Sequence, residues 1–220
     1  MPQPSLIAID GPVASGKTTV GLCLAAKLSY QFLDTGDLYR AVTKLAIDSS
    51  ISNNDELAIA ELCNELDLVL SDKQTTRIIA LNKDITEQLH TEIIDANVSF
   101  IARLPKVRSG LLDTQRNMAK SGNFIMAGRD IGTVVLPYAD LKLYIKASAQ
   151  ERARRRWIQY GQHEALYEKL LVEIERRDHL DSTRPIAPLK PAHDSIIIET
   201  DNMSLANTVE YIYHTYCVQE

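Results

Sequence analysis

The sequence predicts an α/β fold, a five-stranded parallel sheet flanked by helices. Three observations predict it. Five short apolar runs, Leu6–Ile9, Gln31–Leu33, Phe124–Ala127, Leu141–Ile145 and Ser195–Glu199, are mostly separated by helical stretches, the alternation that builds parallel sheets. Most of these runs are continuously apolar, as strands covered on both faces should be. The first run leads into Gly11-Pro12-Val13-Ala14-Ser15-Gly16-Lys17-Thr18. A helical pattern follows over Thr19–Ser29, with Val20, Leu24 and Leu28 on one face.

Residues 11–18 fit G-x-x-x-x-G-K-[ST], the phosphate loop. Small residues let backbone N–H groups turn inward around a polyphosphate. Gly11 and Gly16 can take backbone angles that a Cβ resists. Lys17 brings positive charge to the transferable phosphate, and the Thr18 hydroxyl can ligate Mg²⁺. A helix starting here aims free N–H groups and its positive dipole end at the anion. The alternative is a Gly-rich turn with a chance lysine, and the strand before and helix after count against it. The loop, Gly11 through Thr19, is therefore assigned to the phosphates of a nucleoside triphosphate, and the sheet is expected to be of the P-loop NTPase type.

At 220 residues the chain can bury a full core. A net charge of −5 argues against a broad nucleic-acid or anionic-membrane surface. Cys23, Cys63 and Cys217 are odd in number and match no metal-site spacing, which suggests reduced thiols in a cytoplasm. The N-terminus lacks the basic and apolar pattern of a signal peptide. No apolar run approaches the roughly 18 residues of a membrane span.

Between Leu33 and Phe124 lie about ninety residues, too many for a loop in a compact domain. Tyr39–Ile47 and Asn54–Glu65 read as helices. Leu66–Leu70 and Arg77–Leu81 read as a strand pair around Ser71–Thr76. Glu92–Ala102 and Val107–Lys120 are helical again, divided by Pro105. The segment reads as an insertion with its own small lobe. Gln150–Arg184 holds seven arginines, Arg152, Arg154, Arg155, Arg156, Arg176, Arg177 and Arg184. Gly161 breaks it into two helices. Glu164, Glu168, Glu173 and Glu175 can neutralise some of these cations, and the remainder point to an anionic ligand.

A guanine-reading switch would need Asn-Lys-x-Asp. Asn82-Lys83-Asp84 is one residue short and reads as a turn. Phe124–Ala127 leads into Gly128-Arg129-Asp130, and residues just past the carboxyl end of a parallel strand face ligand. Several stretches now resemble the bacterial-type cytidylate kinases of the nucleoside monophosphate kinase group. They are Gly11–Thr18, Leu33-Asp34-Thr35-Gly36 with Tyr39-Arg40, and Pro105-Lys106-Val107-Arg108 with Gln115-Arg116. The others are Gly128-Arg129-Asp130-Ile131-Gly132-Thr133-Val134-Val135, Arg177-Asp178 with Asp181 and Arg184, and Ala187-Pro188-Leu189.

The resemblance implies one kinase domain over 1–220. Its core would be about 1–37, 121–149 and 185–220, its inserted monophosphate-binding lobe about 38–120, and its Arg-rich lid about 150–184. The reaction implied is phosphoryl transfer from ATP to CMP or dCMP with Mg²⁺. Ser99, Arg108 and Asp130 would hold cytosine. A carboxylate accepts from cytosine's exocyclic amine and repels the oxygen uracil has there. Thr35, Arg40 and Arg129 would hold the acceptor phosphate, and paired guanidiniums suit a dianion. Asp181 would take the sugar hydroxyls, and Arg177 and Arg184 would face the transfer point. Lys17, Arg129, Arg177 and Arg184 form the catalytic set, with Thr18 and Asp34 as candidate metal ligands. A cytoplasmic monomer is implied, with no nucleic-acid or membrane partner.

Alternatives stay open for several of these residues. Asp130 could instead bridge to Arg129, Tyr39 could pack against the pyrimidine or line its pocket or else be a core aromatic, and Arg177 and Arg184 could pair with Asp178 and Asp181. Of Arg154, Arg155 and Arg156, one helix can turn at most two inward. His90, His163, His179, His193 and His214 show no pattern, and His90 stands where these kinases often carry arginine. The strand end Glu199-Thr200, where they more often show aspartate, suggests no role. Two other functions compete: a P-loop kinase with a different small acceptor, and a nucleotide-binding regulator that does not turn over.

Overall fold

The computed structural model describes residues 3–71, 75–162 and 166–217. Strand β1 (Leu6–Asp10) runs through the phosphate loop into α1 (Lys17–Leu28), then β2 (Gln31–Asp34) and α2 (Thr35–Asp48). The inserted segment contributes α3 (Glu56–Glu61), β3 (Leu66–Leu70), β4 (Thr76–Ala80), β5 (Lys83–Asp84), α4 (Glu92–Ile101) and α5 (Pro105–Met118). The chain returns through β6 (Phe124–Gly128), a π turn over Ile131–Val135, and β7 (Leu141–Lys146). It then forms α6 (Ala149–Gln159), α7 (Tyr167–Thr183), β8 (Ile196–Glu199) and α8 (Leu205–Ile212).

The five apolar runs form one sheet in the order β2-β6-β1-β7-β8, with every pairing parallel. Alternate residues of the central strands face opposite layers, as period-two geometry requires. Ile7, Ile9, Ile125 and Ala127 pack with Val20 and Leu24 of α1 and Val209 and Ile212 of α8. Ala8, Phe124 and Met126 pack on the other side with Leu38 and Val42 of α2 and Leu111 of α5. A small third cluster joins Val13 of the phosphate loop to Ala153 of α6 and to Leu170 and Ile174 of α7.

The inserted segment carries its own antiparallel sheet, β3-β4-β5. Its apolar residues, among them Ile59, Leu66, Ile78 and Leu89, run without a break into the core beneath the first sheet. Thr76 Oγ1 also donates to the Phe32 carbonyl at 2.9 Å. Leu81 and Asn82, both at positive φ, make the two-residue turn between β4 and β5. Lys83-Asp84, expected as turn, therefore pairs as a strand. Much of the expected hairpin turn, 72–74, lies outside the described residues, as do His163 and Glu164.

Capping chemistry moves several helix ends from their expected positions. The Asp34 side chain accepts from the Gly36 N–H at 2.9 Å, so α2 starts at Thr35 rather than Tyr39. The helix expected from Thr19 starts at Lys17, behind Gly16 at φ 89°. The helix expected over Asn54–Glu65 is α-helical over Glu56–Glu61 and tightens to 3₁₀ over Leu62–Glu65. Pro105 is the first residue of α5, where its missing N–H costs nothing. Among the described residues no helix is long and apolar enough to cross a membrane.

Helix α1 lies so close to β2 that a Cβ on Gly21 would run into the Phe32 ring. Gly21→Val should cost a net of about 1–2 kcal/mol once helix propensity is credited. The thermal midpoint should fall by about 2–8 °C, and an unchanged midpoint would show looser packing at this contact.

Candidate active site

The phosphate loop is built on close backbone approach. A Cβ at Gly11 would meet the Ile145 carbonyl oxygen of β7, so the loop can lie against the sheet only with glycine there. Gly16 takes left-handed geometry, with φ 89° and ψ 1°, and opens α1. Ser15 Oγ is buried with no hydrogen-bond partner among the described residues, a donor left for a ligand. Lys17 is buried, and its Nζ donates to the Pro12 carbonyl at 3.2 Å. Burial and the neighbouring Arg129 push its pKa down to about 7. Thr18 Oγ1 donates to Asp34 Oδ2 at 2.5 Å. These hard oxygens suit Mg²⁺, which takes one or two protein oxygens and fills its shell with water and phosphate.

A second cavity lies beside the loop. Its lining brings together Thr35, Tyr39, Arg40, Ser99, Arg108, Arg129, Asp130 and Asp181, with Arg177 and Arg184. These residues come from α2, α4, α5, α7 and the segments after β6 and α7, so the sequence-distant acceptor residues share one pocket. Gly36, Arg40 and Arg129 also line the phosphate-loop cavity. The two cavities therefore meet at two guanidiniums.

The ion pairs differ from those weighed in the sequence. Asp130 does not bridge to Arg129. Its carboxylate, 6% exposed, takes Arg108 Nη2 and, at 3.2 Å, Arg184 Nη2. Arg129 Nε instead donates to Asp181 Oδ2 at 2.8 Å. Arg177 and Arg184 pair with neither Asp178 nor Asp181 in hydrogen-bond contact. Arg177 reaches Asp95 at 3.4 Å, and Arg184 Nε donates to the Ala187 carbonyl at 2.6 Å. Asp178 holds Arg152. Tyr39 fills both roles weighed for it, since it packs in the core, lines the cavity, and lies 5.5 Å from the Arg108 guanidinium. The Thr35 hydroxyl donates to the Ala127 carbonyl at 3.1 Å, so its proton faces the sheet in this state.

The arginine cluster of α6 is divided by task. Arg152 is buried and donates to the Ala147 and Val13 carbonyls and to Asp178, so it braces the loop. Arg154 and Arg155 share Glu151, a partner the sequence did not suggest. Arg155 also donates to Thr200 Oγ1 and the Thr200 carbonyl at 3.1 and 2.5 Å, which gives the strand end after Glu199 a structural task. Arg156 lines the phosphate-loop cavity and makes no ion pair among the described residues.

Three further residues were missed in the sequence. Asp10, at the end of β1, is buried and accepts from the Ile131 and Gly132 N–H groups at 2.7 and 2.8 Å. It pins the turn carrying Arg129 and Asp130 to the base of the phosphate loop. Burial raises its pKa to about 6 despite those two donors. A lone acid directly before the first loop glycine was the available signal. His90, assigned no role, lies 3.2 Å from Asp37 and lines the phosphate-loop cavity with it. Asp95 sits between Arg40 and Arg177, and nothing in its spacing announced this.

A parallel α/β sheet with a phosphate loop, joined to a second cationic pocket, defines a P-loop kinase. The family model described as cytidylate kinase matches residues 7–217, and the chain belongs to that family. The cytidylate kinase of Bacillus licheniformis is 41% identical over 211 residues, covering 94% of this chain and 93% of its own. That of Pediococcus pentosaceus is 43% identical over 210 residues, covering 94% and 92%. A solved structure of an uncharacterized protein from Eubacterium ventriosum covers 94% of each chain with a TM-score of 0.51 at 13% identity, a likeness of fold.

The buried ammonium of Lys17 gives a stability prediction with a defined sign. Its folded pKa, about 7, lies below its ordinary value of 10.5. The folded state then binds fewer protons than the unfolded state between these values, and stability rises with pH across the window. Lys17→Met should raise the thermal midpoint of the ligand-free protein most below pH 7. The gain should shrink as pH climbs from 7 to 10.5. A gain independent of pH would show that Lys17 is not held against its charge.

Proposed function

We propose that this chain transfers the γ-phosphoryl group of ATP to CMP, and to dCMP, giving ADP and CDP or dCDP. The meeting of two anion-binding cavities at Gly36, Arg40 and Arg129 carries the reading. A binder of one nucleotide has no use for a second cationic pocket opening onto the first. Membership of the cytidylate kinase family supports the same acceptor.

The residues divide the work as follows. Backbone groups of Gly11 through Thr19 hold the ATP phosphates, with Lys17 at the transferring end. Arg40 and Arg129, with Thr35, hold the acceptor phosphate, and Arg177 and Arg184 add positive charge beside it. A phosphoryl group moves in line, so the protein must align two anions and neutralise spreading charge. The acceptor oxygen is already ionised, so no general base is needed. Thr18 and Asp34 would hold Mg²⁺, which supplies further charge neutralisation at the phosphates. The 150–184 region would close over the site, with Arg156 facing phosphate, and exclude water as a rival nucleophile.

Ser99, Arg108 and Asp130 line the acceptor cavity but not the phosphate-loop cavity, as base-reading residues should. A cytosine amine offers Asp130 a donor when Arg108 turns to the ring acceptors O2 and N3. Uracil offers an oxygen instead, which leaves a buried carboxylate facing a lone pair. Asp181 would accept from the sugar hydroxyls. The same reading takes the enzyme as a monomer acting on small anions in the cytoplasm.

A monophosphate panel with fixed ATP and Mg²⁺ tests this. CMP should turn over at least about tenfold faster than UMP, AMP or GMP, and equal rates with UMP would overturn the base assignment. Asp130→Asn should lower kcat/KM for CMP on the order of a hundredfold. It should narrow the preference over UMP and leave KM for ATP within about twofold. An unchanged CMP rate would remove Asp130 from the site.

A further inference from the structure

Asp95 is the carboxylate of the acceptor region that the reaction above does not use. It projects from α4 one turn before Ser99, on the same face. Its Oδ1 lies 2.7 Å from Arg40 Nη2 and 3.4 Å from Arg177 Nη1. One oxygen thus serves two guanidiniums from two other helices, α2 and α7. Both arginines line the acceptor cavity. Their side chains are only 12% and 6% exposed, so neither can swing freely to water.

We propose that Asp95 is a placeholder anion for the acceptor phosphate: it neutralises Arg40 and Arg177 in the empty site and yields them when the phosphate arrives. The proposal rests on the reading that Arg40 binds that phosphate. Three observations carry it. The carboxylate and a cavity phosphate would compete for the same N–H groups. Arg40 also donates to the Leu89 carbonyl at 3.2 Å, so its plane is held without Asp95. And the charges balance in a telling way. Five guanidiniums, Arg40, Arg108, Arg129, Arg177 and Arg184, line the cavity with two carboxylates, Asp130 and Asp181, and Asp95, outside the lining, pairs with two of the five as a third. The excess of two positive charges equals the charge of a phosphomonoester dianion.

The consequence is a coupling across the site. Asp95 ties α4 of the inserted segment to α7, the second helix of the arginine-rich region. A phosphate that takes Arg40 and Arg177 cuts that tie, so acceptor binding frees the two elements to move relative to each other. The carboxylate also repels the incoming dianion. With both guanidiniums held in place by packing, this repulsion outweighs any orienting benefit, and removing the charge should favour the bound state.

Calorimetric titration of CMP and of cytidine into the full chain, wild type and Asp95→Asn, tests this. If the wild type binds CMP no better than cytidine, the acceptor-phosphate reading itself fails. If it prefers CMP, Asp95→Asn should bind CMP on the order of fivefold more tightly and bind cytidine as before. The ligand-free variant should also melt about 2–4 °C lower, because one buried and one half-buried guanidinium lose their counterion. A residue with a purely structural role would weaken stability and binding together. Weaker or unchanged CMP binding, or a shift shared by cytidine, overturns the placeholder. Asp95→Ala should move in the same directions, which guards against an asparagine that keeps its bond to Arg40 or fails to fold.

Discussion

Five guanidiniums converge on one cavity, and like charges so close cannot share it without anions between them. The interleaving of Asp95, Asp130 and Asp181 among them is the constraint on which the site depends. These pairs are poor sources of net stability, since desolvation cancels most of their attraction. Their worth is conditional. With Asp130 removed, Arg108 and Arg184 would be left as buried uncompensated charges, at a cost of about 3–5 kcal/mol, whereas the part-exposed Asp95 is worth less. Such a network holds its geometry while the site is empty and can exchange partners when a ligand brings equivalent groups.

That exchange requires the phosphate loop and the acceptor cavity to stand in fixed relation, and the sheet order provides it. Strands β1 and β6 are parallel neighbours with Asp10 opposite Gly128, so both chains leave the sheet side by side at their carboxyl ends. Asp10 then accepts two N–H groups from the turn after β6. The loop that holds one nucleotide is thereby fastened to the turn that presents Arg129 and Asp130. On the other flank, β2 ends at Asp34, which both caps α2 and accepts from Thr18. Single carboxylates thus join the loop to the acceptor elements on both sides.

How much of this could be read in advance depended on whether the signal was local. The five strands were legible because each is a continuous apolar run, and the phosphate loop because its residue types and spacing answer to one chemistry. The acceptor residues Thr35, Arg40, Ser99, Arg108, Arg129, Asp130 and Asp181 were reached through the family resemblance, and the fold gathers them in one cavity. Their partners were not legible. A sequence shows that arginines outnumber nearby acids, but not that Asp95 reaches Arg177 across 82 positions or that Glu151 takes two neighbours on its own helix. Asp10 was passed over because a buried acid bonded to backbone N–H groups leaves no periodic trace.

The same logic sorts the four arginines of α6, which their spacing could not. Arg152 and Arg155 donate to backbone carbonyls of the phosphate loop, Val13 and Ser15, while Asp178 and Glu151, with Ala147 and Thr200, take their other donors. A guanidinium with most of its fork engaged is a strut. Arg154 lies exposed against Glu151, where solvent screening leaves such a pair little energy. Arg156 differs: it is half-buried, lines the nucleotide cavity and lacks an ion-pair partner among the described residues. The loop carries matching deficits, a buried Ser15 hydroxyl without a partner and a Lys17 ammonium held on one carbonyl. A fold that left such groups wanting without purpose would be less stable for nothing. Gathered around one cavity, they describe the negative charge that would satisfy them together.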